Sequence, residues 1–181
     1  MFQLVIKLSC ALVLLLSGAN ALAAGDAEAG QAKAATCVAC HGVDGNSAVP
    51  TFPKLAGLGH KYLLKQMKDI RDGRRPVALM AGQVDNMSDQ DLSDIAAFYD
   101  AQPRTGGKAD PDKVALGRKV YLAGIAERQV PACSGCHSPT GNGNGPAGYP
   151  GLGGQHADYI AAQLKMFRKG CLLYTSDAAD E

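Results

Sequence analysis

Between His60 and Ile70 the apolar residues Leu63, Leu64, Met67 and Ile70 recur at three- and four-residue spacing, with Lys61, Lys65 and Lys68 between them. This is the pattern of a helix that buries one face and wets the other, and it puts Met67 in the core. Asp72-Gly73-Arg74-Arg75-Pro76 ends it, glycine and proline being the usual stop. Ser88-Asp89-Gln90-Asp91 reads as a capping-box start for a second helix, Leu92 to Asp100. Gly25 to Ala35 is Ala-rich with acids in its first turn, which predicts a helix capped by Asp26 and running into Cys37. Gly30 inside it costs about 1 kcal/mol relative to Ala, so close approach of another helix is expected there. Asp44-Gly45-Asn46-Ser47 predicts a turn, Pro50 to Gly57 is too rich in Pro and Gly for a helix, and Val77 to Gly82 is a loop.

The pattern repeats. An offset of 96 residues brings Cys37, Cys40, His41, Gly45 and Asn46 onto Cys133, Cys136, His137, Gly141 and Asn142. At an offset of 97, Phe52-Pro53, Leu55, Gly57, Tyr62, Gln66, Arg71 and Gly73 fall on Tyr149-Pro150, Leu152, Gly154, Tyr159, Gln163, Arg168 and Gly170. A period of this length is the size of a small domain. The expected organisation is all-α, with a first domain over residues 24–100, a linker over 101–115 rich in Pro, Gly and charge, and a second, incomplete domain over 116–170. The counterpart of Met80 would fall near position 177. Met166 matches Asp69, within a helix.

The two ends stand apart from the repeat. Residues 1–23 carry Lys7, the apolar run Leu8 to Leu16 and the small-residue pattern Ala21-Leu22-Ala23, which reads as a cleaved secretory signal whose run is too short to span a bilayer. Cys10 should leave with it. Residues 171–181 continue neither the repeat nor its helical pattern, and resemble throughout a translated transposase-end adapter from sequencing libraries. We expect them to be read-through.

The chemistry lies in Cys37-Val38-Ala39-Cys40-His41 and Cys133-Ser134-Gly135-Cys136-His137. Paired C-x-x-C motifs also make zinc sites, and a single one makes a redox dithiol. Here each pair is followed at once by His and the pairs are almost a hundred residues apart, so one shared tetrahedral site would need long-range closure. C-x-x-C-H is instead the attachment sequence of c-type haem, two thiols adding across the vinyl groups and the imidazole taking one axial site of the iron. Two covalently bound haem c groups are expected. Pro53, and by the repeat Pro150, can lay a carbonyl against the imidazole N–H and fix its tautomer; a plain turn proline is the alternative reading. Met80, in its loop, is the candidate soft ligand for the other face of the first iron. Met87 lies beside a helix cap and reads as packing or exposed.

These residues together resemble the dihaem cytochromes c4, a class I cytochrome c family. The resemblance runs from residue 24 to 170, through AGDAEAGQ, CxACHGxDGNS, FPKLAG, YLLKQ, SDQDLxDIAAFY and GQHADYIAAQL as they stand here. It implies helical haem domains, no catalytic turnover, and delivery of single electrons from quinol-oxidising complexes to terminal oxidases. It also implies His41 and Met80 as axial ligands of the first iron, His137 of the second, and Phe98 and Tyr99 packing their helix on the N-terminal one near Gly30. The chain departs from the family in lacking a second loop Met and a final helix.

Export fits this chemistry and places the protein in the periplasm, as a monomer loosely associated with the membrane. Its expected partners are membrane-bound respiratory complexes, with no nucleic acid and no small-molecule substrate. Residues 24–100 hold eight Lys/Arg against ten Asp/Glu, net −2, and residues 101–170 nine against four, net +5. Such asymmetry can orient docking and speed encounter with charged partners. The rival readings are a dihaem peroxidase, which needs an iron with an accessible sixth site and distal acid–base groups, and a haem subunit of a larger oxidase.

Overall fold

The computed structural model describes residues 25–169; the segment expected to be a signal, residues 1–23, and the residue 171–181 tail lie outside them. Among the described residues the fold is helical, without strands, and holds two isolated antiparallel bridges, Ile125 with Val130 and Asn144 with Tyr149. The helices are α1 (Ala27–Lys33), α2 (Val38–His41), α3 (His60–Arg71), α4 (Asp89–Asp100), α5 (Pro111–Ala123), α6 (Ser134–His137) and α7 (Ala157–Arg168). Single 3-10 turns cover Ala34–Thr36, Ala78–Met80 and Ala126–Arg128.

Local chemistry sets the boundaries. Asp26 caps α1 by accepting from the Glu28 and Ala29 amides at 2.9 and 3.1 Å. Ser88 and Asp91 close a reciprocal capping box that starts α4. The α1 helix stops at Lys33, and a 3-10 turn carries the chain on to Cys37. The stretch expected as linker is shorter than its composition suggests, because Asp110 caps α5 and Pro111 occupies its first turn. Only residues 101–110 lack regular structure.

α4 is the centre of the first half and packs against both α1 and α3. Ala34, Leu58, Leu63, Ile95, Ala96, Phe98 and Tyr99 form the buried core, with Tyr62, Leu64, Met67 and Met87 packed against it. Full burial of each larger side chain contributes about 1.5–3 kcal/mol. Gly30 is where α1 meets α4, since a Cβ there would overlap the Asp94 carbonyl. The closest approach is therefore at Asp94, one turn before the expected Phe98 and Tyr99. Those aromatics meet at a tilt of 54°, ring centroids 4.9 Å apart, in the core below. The Asp94 carboxylate also accepts from the Asp26 amide at 2.8 Å and pairs with Lys33 at 2.6 Å, fastening α1 at both ends.

The second half repeats the elements with less cover. Neither α5 nor α7 buries a residue, and Leu116 and Leu164 are 67% and 57% exposed. The halves meet through polar contacts. The Gln155 side-chain amide brackets Lys54, accepting from its N–H at 3.0 Å and donating to its carbonyl at 2.8 Å. His156 Nε2 bonds the Ser47 carbonyl at 2.9 Å. Arg75 Nη2 donates to Tyr159 Oη at 3.1 Å and to Gln163 Oε1 at 2.9 Å.

Candidate functional site: two matched cysteine–histidine turns

Each C-x-x-C-H sequence forms one helical turn. The His41 amide donates to the Cys37 carbonyl at 2.9 Å and the His137 amide to the Cys133 carbonyl at 3.0 Å. One turn places two sulfurs and an imidazole on one side of the backbone. Cys37 and Cys133 are half-buried, Cys40 and Cys136 are exposed, and none of the four is in a disulfide. Burial pushes the Cys37 thiol pKa up.

The imidazoles are held alike. His41 Nδ1 lies 2.8 Å from the Pro53 carbonyl oxygen, and His137 Nδ1 lies 2.8 Å from that of Pro150. A carbonyl can only accept, so Nδ1 carries the proton in both rings and Nε2 keeps its lone pair. His41 is 6% exposed; burial lowers its pKa, with the Pro53 carbonyl opposing in part. The neutral, ligating form is thereby favoured. An aromatic edge meets each imidazole at the same repeat position, Phe52 with centroids at 6.3 Å and Tyr149 at 5.8 Å.

The chain leaves each turn differently. Gly42 continues from His41 at φ 82°, and its counterpart Ser138 adopts φ 67°. That region favours glycine; in the second half Ser138 is held there by Tyr121, whose hydroxyl donates to the Ser138 carbonyl at 2.6 Å.

Met80 lies in the 3-10 turn between α3 and α4, partly exposed. Met87 and Met67 pack on the core. Met166 is inside α7. Among the described residues no group of three or more His, Cys, Asp or Glu gathers into a metal site, so the two cysteine pairs do not converge. The donor sets fit haem c: two thiols and an oriented imidazole with a free Nε2 in each half, and beside the first a buried Tyr99 hydroxyl without a hydrogen-bond partner.

A family model described as Cytochrome c matches residues 27–100. Over 148 residues the chain is 60% identical to cytochrome c4 of Pseudomonas aeruginosa, covering 82% of this chain and 74% of that one. The chain belongs to the cytochrome c4 family. Cytochrome c4 of Azotobacter vinelandii is 57% identical over 157 residues, 82% of this chain and 75% of its own. The crystal structure of reduced recombinant cytochrome c4 from Pseudomonas stutzeri superposes with a TM-score of 0.82 at 52% identity, covering 86% of each chain. As a member of the cytochrome c4 family the protein carries covalently bound haem c and is a dihaem electron-transfer cytochrome that exchanges electrons with redox partners.

Sequence reasoning missed the residues that join the two turns. Lys54, Asn46, Arg104, Thr105, Gln155 and His156 meet at the junction of the halves. Lys54 was legible only as part of FPKLAG, and Arg104 only as a charge in a linker. The repeat held one available signal, the replacement of Lys54 by Gly151 at an otherwise matched position.

Proposed function

We propose that the protein is an exported periplasmic carrier that takes single electrons from a membrane-bound quinol-oxidising complex and passes them to a terminal oxidase or another reductase. Haem iron supplies the redox chemistry, alternating between two oxidation states. The chain's own residues hold and tune it. Cys37 and Cys40, and Cys133 and Cys136, would anchor the groups as thioethers; His41 and Met80 would supply ligands to the first iron and His137 to the second. Carbonyls of Pro53 and Pro150 orient the imidazoles and raise their basicity. A thioether opposite imidazole favours the reduced state.

The observation that carries this reading is the matched Nδ1–carbonyl bond in both halves, at 2.8 Å each. It fixes both imidazoles in the same orientation, as a carrier whose ligands stay in place through both oxidation states needs. No helix among the described residues is long and apolar enough to cross a membrane, which agrees with a carrier that docks on membrane complexes.

Expression in a host that matures such centres, followed by rapid mixing with a reduced quinol-oxidising complex and then with an oxidase, tests the assignment. Sequential reduction and reoxidation of both haems is expected. Turnover of hydrogen peroxide by the purified protein, with no electron uptake from the complex, would instead make it a peroxidase.

A further inference from the structure

At the junction of the halves two cations lie without an ion pair, the Asp44 carboxylate acting on Lys54 only as a weak, longer-range charge. Lys54 is 7% exposed, and its ammonium donates only to Thr105, at 3.1 Å to the carbonyl and 2.9 Å to Oγ1. Thr105 is held in turn by Asn46 Oδ1, which accepts its amide at 2.8 Å and its hydroxyl at 2.9 Å. The next residue back is Arg104, whose Nη1 is buried with no hydrogen-bond partner. Burial alone pulls the Arg104 pKa down, with no neighbouring carboxylate opposing. Neither cation has an ion pair among the described residues. Buried charge left unpaired is strongly unfavourable, so the arrangement calls for anions from outside the polypeptide.

Their placement says where. Lys54 follows Pro53, whose carbonyl holds His41. The repeat puts Gly151 at the Lys54 position, directly after Pro150, whose carbonyl holds His137. The Arg104 guanidinium fills that gap, since a Cβ on Gly151 would overlap it. Each histidine-holding carbonyl is thus followed by one cation, supplied in place by Lys54 in the first half and by the connecting segment in the second. A cleft of about 470 Å³ opens beside them, lined by Gly57, Arg104, Thr105, Asn142, Gly153 and Gly154.

We propose that Lys54 and Arg104 are the paired counter-cations for carboxylates of the two haem groups, and that Thr105, bonded to one and adjacent to the other, links the two sites. Haem supplies such carboxylates as its propionate side chains. A cation kept beside each one holds it ionised and disfavours the more positive, oxidised iron. Because one segment, residues 104–105, serves both sites, the charge state of one is felt at the other.

The test uses the holoprotein, with haem content verified first on a haem-stained denaturing gel so that loss of haem itself is recognised. Spectroelectrochemical titration from pH 5 to 8 follows for Arg104→Gln, Lys54→Gln and Arg104→Lys. Each Gln variant should lower one midpoint by roughly a tenfold change in the reduced-to-oxidised ratio, about 59 mV for one electron. It should also make that midpoint rise as pH falls, because the released carboxylate now takes up a proton. Arg104→Lys should restore most of the loss. Unchanged midpoints with flat pH profiles in both Gln variants would overturn the proposal. Should the variants fail to fold, a crystal structure of the unmodified holoprotein decides: a haem carboxylate within hydrogen-bonding reach of Arg104 Nη1 supports it, and haem carboxylates paired elsewhere overturn it.

Discussion

A single methylene decides whether α1 can seat. A Cβ on Gly30 would overlap the backbone carbonyl of Asp94, which cannot swing aside as a side chain can. Gly30→Ala should therefore lower stability by about 1–3 kcal/mol, the usual cost of overpacking, read as a shift in denaturant midpoint. Gly117, inside α5, is the control. A Cβ there meets nothing within 4 Å, so Gly117→Ala in this chain should be neutral or stabilising by about 0.5–1 kcal/mol. Met80 is the corresponding test of chemistry. Met80→Ala should lower the first haem's potential and let carbon monoxide reach its iron; unchanged potential and no binding would mean that another residue is the ligand. Most single-residue expectations rest on chemistry that needs no neighbours: the proposed roles of Cys37, Cys40 and His41 follow from adjacency alone. Pro53 was different, since its side chain has no part in the bond to His41 and only the folded path of the loop reveals which carbonyl is aimed at Nδ1.

At the scale of elements, α1 and α4 are joined by charge as well as by shape. Lys33 pairs with Asp91 at 2.7 Å and with Asp94 at 2.6 Å, and Asp94 also accepts from Gln90 at 2.7 Å. The Lys33 ammonium, the strongest of several partners, holds both carboxyls below the ordinary carboxylate range. A depressed folded-state pKa means stability that is full above the unfolded value, about 3.9 for Asp, and lost as pH falls through the folded value. Thermal unfolding should thus show a plateau near neutrality and a decline below about pH 4 to 5. Asp94→Asn should flatten that decline and lower the plateau. An unchanged acid profile in the variant would remove Asp94 from the account. The helices themselves were legible from period and caps, His60–Arg71 and Asp89–Asp100 within a few residues. The α5 helix was not, because its apolar residues lie on an exposed surface and its start is hidden among the Pro and Asp residues of a linker-like composition.

For the whole molecule, the halves carry opposite charge, net −2 over residues 24–100 and net +5 over 101–170. Encounter with an anionic partner should therefore proceed through the second half and slow as salt rises, the Debye length shrinking from about 30 Å at 0.01 M to about 8 Å at 0.15 M. Stopped-flow rates across that range check it, and a salt-independent rate would remove charge from the docking argument. Polar bonds fix how the halves face each other: Gln155 on Lys54, His156 on Ser47, Arg75 on Tyr159 and Gln163. By itself the sequence determined the repeat, the two C-x-x-C-H turns, most helices and the family, because these rest on residue type at short fixed spacing, where the covalent chain already enforces the geometry. Tertiary structure decided the meeting point of α1 and α4, the choice of histidine-holding carbonyls over plain turn prolines at Pro53 and Pro150, and the replacement of Lys54 by Arg104 beside the second. Each of these joins atoms that are distant in sequence or belong to the backbone, and only packing brings them together.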